Sequence, residues 1–133
     1  MAYKKSDRKM YLTEAEWLIM ECLWEKSPRS GREVWEWTQE RNTWSRSTAL
    51  TFLRRLEDKG YVRAEKGKGR KIFTALLSRE DASLIEAKNF LQRAYRGSVT
   101  LMVSCLNKKE ALPKEELDQL YELLKGLEGE DHA

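Results

Sequence analysis

The chain has 133 residues, 41% of them apolar, with 25 Lys/Arg and 22 Asp/Glu for a net charge of +3; that length suits one domain plus an appendage, and that apolar share excludes a disordered chain. The cysteines Cys22 and Cys105 lie far apart without a CxxC pair, and the one histidine is His132, which excludes a disulfide framework and a zinc centre. No apolar run nears the ~18 residues of a membrane span and the basic start lacks a signal-like apolar segment, so the sequence points to a cytoplasmic protein without membrane insertion, cofactor or metal.

The first helix starts after Thr13. In "TEAE" the Thr13 hydroxyl can accept from the Glu16 amide while the Glu16 carboxylate reaches back, a capping box. Ile19, Cys22 and Leu23, with Trp17, Met20 and Trp24, form its apolar side, on which Cys22 reads as an inert small hydrophobe. "KSPRS" ends it. "SGRE" pairs Ser30 with Glu33 in a second capping box, opening a helix over residues 31–41 that turns Val34, Trp35 and Thr38 inward. "NTW" is a short connection, and Ser45 or Ser47 caps a third helix that stops at Gly60. "YVRAEKGKGRKIFTALL" then reads as a hairpin, residues 61–66 and 70–77 around a Gly-Lys-Gly turn. Its tip carries Lys66, Lys68, Arg70 and Lys71 and no acid. Three short helices followed by a basic-tipped hairpin is the order of a winged helix-turn-helix, so residues 1–78 are expected to bind DNA.

Beyond residue 78 the pattern is helical throughout. Ser78 with Asp81 caps a fourth helix reaching about residue 96, a fifth covers residues 99–107, and Pro113 suits the first position of a sixth. Phe90, Leu91, Leu101, Met102, Leu117, Leu120, Tyr121 and Leu124 supply apolar faces that three such helices are too slight to bury alone. A second copy of the chain is the simplest cover, which makes residues 79–133 a dimerisation region. Charge divides at the same place: residues 1–78 hold 17 Lys/Arg against 11 Asp/Glu, residues 79–133 hold 8 against 11. The fold class is thus mainly α with a small β-hairpin, a winged-helix domain plus a three-helix dimerisation region.

On a helical wheel, Ala49, Phe52, Leu53 and Leu56 mark the core side of the third helix. Ser47, Thr51, Arg54 and Asp58 lie opposite, flanked by Thr48 and Arg55. Small hydroxyl residues at the start of this face allow base edges to approach, and arginines suit guanine or phosphate. A plainer reading is a solvated face with Arg54 and Asp58 as an i, i+4 pair. A winged-helix module that meets protein rather than DNA is the alternative function. Catalysis is not expected: there is no phosphate-cradling loop, and no nucleophile is matched to a base. Of the five tryptophans, Trp17, Trp24 and Trp35 read as core, and Trp44 lies close to where a DNA backbone would pass. Lys4, Lys5, Arg8 and Lys9 could form an arm adding phosphate contacts.

"LTEAEWLIMECLW" (residues 12–24), "STALTFLRRLEDKGYV" (residues 47–62) and "KGRKIFTALLSRED" (residues 68–81) together resemble the BlaI/MecI (penicillinase repressor) family of bacterial winged-helix repressors. The likeness continues through "FLQRAYRGSVTLMV" (residues 90–103) and the leucine-striped last helix. It implies a homodimer that blocks transcription from an inverted-repeat operator in double-stranded DNA. By position it implies that Ser47, Thr48 and Thr51 face bases, while Arg46, Arg54 and Arg55 position the helix or hold phosphate. Family members are relieved by cleavage at an Asn-Phe pair, triggered by a membrane sensor protease system. Here the corresponding segment reads Ser104, Cys105, Leu106. The cysteine cluster of copper-responsive relatives is absent as well.

Overall fold

The computed structural model describes residues 11–109 and 111–131. Lys4, Lys5, Arg8, Lys9 and His132 lie outside them. The elements run α1 (Glu14–Glu25), β1 (Arg29–Ser30), α2 (Gly31–Gln39), α3 (Arg46–Asp58), β2 (Val62–Lys66), β3 (Lys71–Ala75), α4 (Arg79–Tyr95), α5 (Val99–Lys108) and α6 (Lys114–Asp131). The strands form an antiparallel sheet in the order β1-β3-β2. Contacts divide the chain into two compact units, one ending at Asn89 and the other starting at Phe90.

In the first unit, both capping boxes form. The Thr13 hydroxyl accepts from the Glu16 amide and the Ser30 hydroxyl accepts from the Glu33 amide, each 3.1 Å long, with both glutamates reaching back. Ser45, not Ser47, caps α3 by accepting from the Thr48 amide. That helix ends in a Schellman motif: Tyr61 N–H donates to the Leu56 carbonyl and Gly60 N–H to that of Glu57. Gly60 takes φ +84° there, a left-handed conformation that costs a residue with a side chain ~1–2 kcal/mol.

The core gathers Leu12, Ile19, Met20 and Leu23 against Val34, Leu53, Leu56, Val62 and Phe73. Two sequence expectations change here. Trp35 is half-buried rather than a core residue, because its indole N–H turns to the Trp44 carbonyl, 3.0 Å away. Trp37 and Trp44 pack against the core instead. The "KSPRS" segment also holds β1, too short to carry an alternation pattern, whose residues Arg29 and Ser30 pair with Phe73 and Ile72. Ser30 therefore ends a strand and caps a helix at once.

α4 begins where the sequence places the end of the DNA-binding domain, and Ser78 caps it by accepting from the Asp81 amide. Its first turn belongs to the winged-helix unit. Ala82 is buried in that core, and Arg79 lies 3.6 Å from Glu21 and over the Trp24 ring.

In the second unit no described side chain is buried. Tyr121, Leu124 and Leu101 are each more than half exposed. Phe90 is exposed and stacks edge-on with Tyr95, while Leu91, Met102, Leu117 and Leu120 are half-buried. Two apolar hollows of about 430 and 460 Å³ lie between α5 and α6 and share Val103, Leu117, Leu120 and Leu124. Ser104, Cys105 and Leu106 lie within α5, with Ser104 and Cys105 exposed and Leu106 half-buried. A hydrogen bond to Cys105 raises the Tyr95 phenol above its ordinary range. Among the described residues no helix is long and apolar enough to cross a membrane.

Candidate nucleic-acid interface

The candidate interface is built on α3. Ala49, Leu53 and Leu56 are fully buried, so the helix is seated by one face and its opposite face is fixed by helical geometry. Ser47, Thr51, Arg54 and Asp58 are exposed on that opposite face. The hydroxyls are partly engaged within the helix itself. Thr51 Oγ1 donates to the Ser47 carbonyl at 2.9 Å, which aims its methyl and its oxygen lone pairs outward. Thr48 is half-buried, and its Oγ1 accepts from the capping Ser45 hydroxyl at 2.9 Å. The Ser47 hydroxyl also lies 3.3 Å from that of Ser45, so the cap touches both Ser47 and Thr48, but Ser47 and Thr51 are exposed whereas Thr48 is half-buried.

Arginines follow the hydroxyls. Arg46, Arg54 and Arg55 are exposed, and the Arg55 guanidinium stands 5.6 Å from the Phe52 ring centroid. The Arg54–Asp58 pair of the plainer reading does not form; among the described residues Arg54 has no ion-pair partner.

The turn between α2 and α3 sets the start of the exposed α3 face. Trp44 packs on Phe52 with ring centroids 4.9 Å apart, and its N–H donates to Asn42 Oδ1 at 3.0 Å. Its carbonyl accepts from Trp35 Nε1 and, at 2.8 Å, from Gln39 Nε2. "NTW" is thus a side-chain-braced turn.

A buried ion pair holds the far end of α3. Lys59 Nζ lies 2.6 Å from Glu16 Oε1 and also donates to the Tyr11 carbonyl at 2.8 Å. Glu16 is only 1% exposed. Burial and then the Glu16 charge push the nearby Tyr61 phenol up. Nothing in the sequence separates Glu16 from any other capping-box glutamate except an apolar neighbourhood, so its burial was not readable there.

The hairpin tip brings together the four cations expected of it. Lys66, Lys68, Arg70 and Lys71 are all exposed. Lys66 and Lys71 sit directly opposite in the β2–β3 ladder, an arrangement that weakens a strand pair by charge repulsion. Gly67 N–H donates to the Arg70 carbonyl and Gly69 has φ +80°, a tight turn that keeps the cations close. Between hairpin and α3 lies a groove of about 490 Å³ with Leu50 and Phe73 in its lining.

The model of the penicillinase repressor family matches residues 12–126. The methicillin resistance regulatory protein MecI of Mammaliicoccus sciuri is 31% identical over 121 residues, 89% of this chain and 97% of that protein. The penicillinase repressor of Bacillus licheniformis is 29% identical over 113 residues, 85% of this chain and 88% of that protein. A solution structure of the DNA-binding domain of the repressor BlaI is 28% identical, with a TM-score of 0.49, covering 53% of this chain and 85% of that one. Matched over most of its length, the chain belongs to the penicillinase repressor family of DNA-binding transcriptional repressors.

Proposed function

We propose that the chain represses transcription as a homodimer, each copy laying α3 into the major groove of one half of an inverted-repeat operator. Ser47 and Thr51 read base edges, with Thr48 ordering the start of the helix; Arg46, Arg54 and Arg55 hold its register; and Lys66, Lys68, Arg70 and Lys71 grip phosphate. The observation that carries this reading is a cationic rim, without ion pairs among the described residues, around a small exposed hydroxyl face on a helix seated by its other side. Dimerisation is supported by the second unit, whose α5 and α6 leave leucines exposed that a second copy would cover. Its place of action is the cytoplasm, with the DNA.

The Ser104–Cys105–Leu106 segment lacks the family's Asn-Phe pair, so release from DNA is proposed to proceed without cleavage there by a membrane sensor protease.

Selection of bound fragments from genomic DNA, followed by salt titration, tests the reading. One inverted repeat should dominate the selected fragments. Affinity should fall steeply as salt rises, because each neutralised phosphate releases counterions. Fragments without a shared palindrome would refute sequence-specific repression and favour the protein-binding module.

A further inference from the structure

The groove between α3 and the hairpin carries more chemistry than phosphate grip alone requires. Its rim holds Arg32 from α2, Arg46 and Arg54 from α3, and Arg70 and Lys71 from the hairpin. Glu57 is the lone acid in the lining. Arg32 is shared with Glu36 at 3.3 Å on an exposed helix face; the other four cations form no ion pair among the described residues. Arg70 is near enough to the start of α2 to help hold the Glu33 carboxyl below its usual range, after the two Ser30 hydrogen bonds. Five cations and one acid in so small a space repel one another, and an anion relieves that repulsion.

The floor is apolar. Leu50 is half-buried and Phe73 is 3% exposed. α2 starts close above them: a Cβ on Gly31 would fall 2.8 Å from Leu50 Cδ2 and 3.6 Å from Phe73 Cε2. The volume, about 490 Å³, lies within the ~300–1,000 Å³ of small-ligand pockets. An inorganic ion would leave the floor unused, and an apolar ligand would leave the rim unneutralised.

We propose that this groove is a seat for one sugar-phosphate unit, the sugar on Leu50 and Phe73 and the phosphate among the arginines. Guanidinium forks suit phosphate oxygens, and sugar carbons suit an apolar floor. Two sources present that chemistry: a DNA backbone strand passing beside the base-reading face, and a free sugar phosphate that would compete with DNA. The proposal goes beyond the repressor reading, because the seat can be tested with no DNA present.

The test titrates the intact protein with ribose 5-phosphate and follows backbone amide resonances by NMR. Saturable shifts are expected at Gly31, Arg32, Leu50 and Phe73, with affinity lowered at least about tenfold in the double variant Arg32→Gln/Arg46→Gln. Both arginines are exposed, so their loss leaves the core intact. Absence of saturable shifts at these amides, or equal affinity in the double variant, overturns the seat. A second arm measures the salt dependence of binding to a random duplex. A shallower slope in the single variant Arg32→Gln, which keeps every cation assigned above to DNA, identifies the DNA backbone as the occupant. An unchanged slope in Arg32→Gln alongside ribose 5-phosphate binding lost in the double variant identifies a free sugar phosphate. Failure of operator selection would refute the repressor reading and leave the ribose 5-phosphate result standing.

Discussion

Thr51 and Arg70 are both exposed, yet they differ in what they can distinguish. Thr51 presents a methyl and a hydroxyl from the middle of the helix face, its rotamer fixed by the hydrogen bond to the Ser47 carbonyl. Thr51→Ala is expected to lower discrimination by about 1–3 kcal/mol at one base position, whereas Arg70→Ala should weaken all sequences alike. Binding to a panel of single-base operator variants separates the two, and a uniform loss for Thr51→Ala would remove it from base contact. Lys59 is a residue of another kind. Removing it strands the buried Glu16 carboxylate, which among the described residues then keeps the Thr13 amide. Lys59→Ala should cost about 3 kcal/mol in urea denaturation, the lower end for broken buried pairs because Lys59 is partly exposed. The cysteines split by environment. Burial first, only partly offset by Arg29, raises the Cys22 thiol to about 11. It stays protonated at neutral pH, and the stability it lends is lost as pH climbs from its ordinary 9.0 toward about 11, since the unfolded chain ionises first. Iodoacetamide at pH 8 followed by mass spectrometry should label the exposed Cys105 and spare Cys22 until the protein unfolds.

At the scale of elements, local rules carried far. Both capping boxes, the stop of α3 at Lys59-Gly60 and the hairpin register around Gly67–Gly69 follow from short-range hydrogen bonding and positive-φ tolerance, so they are legible from a few adjacent residues. What escaped depends on distant partners. β1 is two residues long and exists only because β3 offers it an edge. Trp35 leaves the core because Trp44 returns its carbonyl to α2, while Trp37 packs against the core and its ring carries the Arg41 guanidinium at 3.5 Å. Helical spacing alone cannot see either. The candidate site divides in the same manner. The exposure of Ser47, Thr51 and Arg54 was readable from periodicity, but the engagement of Thr48 by Ser45 and the contribution of Arg32 to the groove needed three dimensions.

For the whole molecule, the two units have opposite needs. The first has a closed core of aliphatic and aromatic residues and a cationic surface; the second has leucines without cover. In the proposed dimer, linking two half-operator contacts makes the second binding event intramolecular. Leu120→Asp with Leu124→Asp places charges in the shared apolar hollows. Sedimentation equilibrium should then find monomers, and affinity for a full operator should drop by about 10²-fold or more while the unfolding of the winged-helix unit is unchanged. Dimers persisting in that variant would move the interface elsewhere.

Ser30 has a consequence for how the hairpin and the start of α2 move. It is buried, it pairs with Ile72 one residue from the Lys66–Lys71 pair that closes the hairpin, and it caps α2 through Glu33. Hairpin and helical turn thus share a single hinge-less joint, and neither can swing without breaking the other's anchor. Such a joint behaves as a caliper of fixed jaw width. On the proposed reading, the spacing between a groove contact and a flanking phosphate contact is set before DNA arrives, so duplexes whose groove width differs should be rejected by shape as well as by sequence.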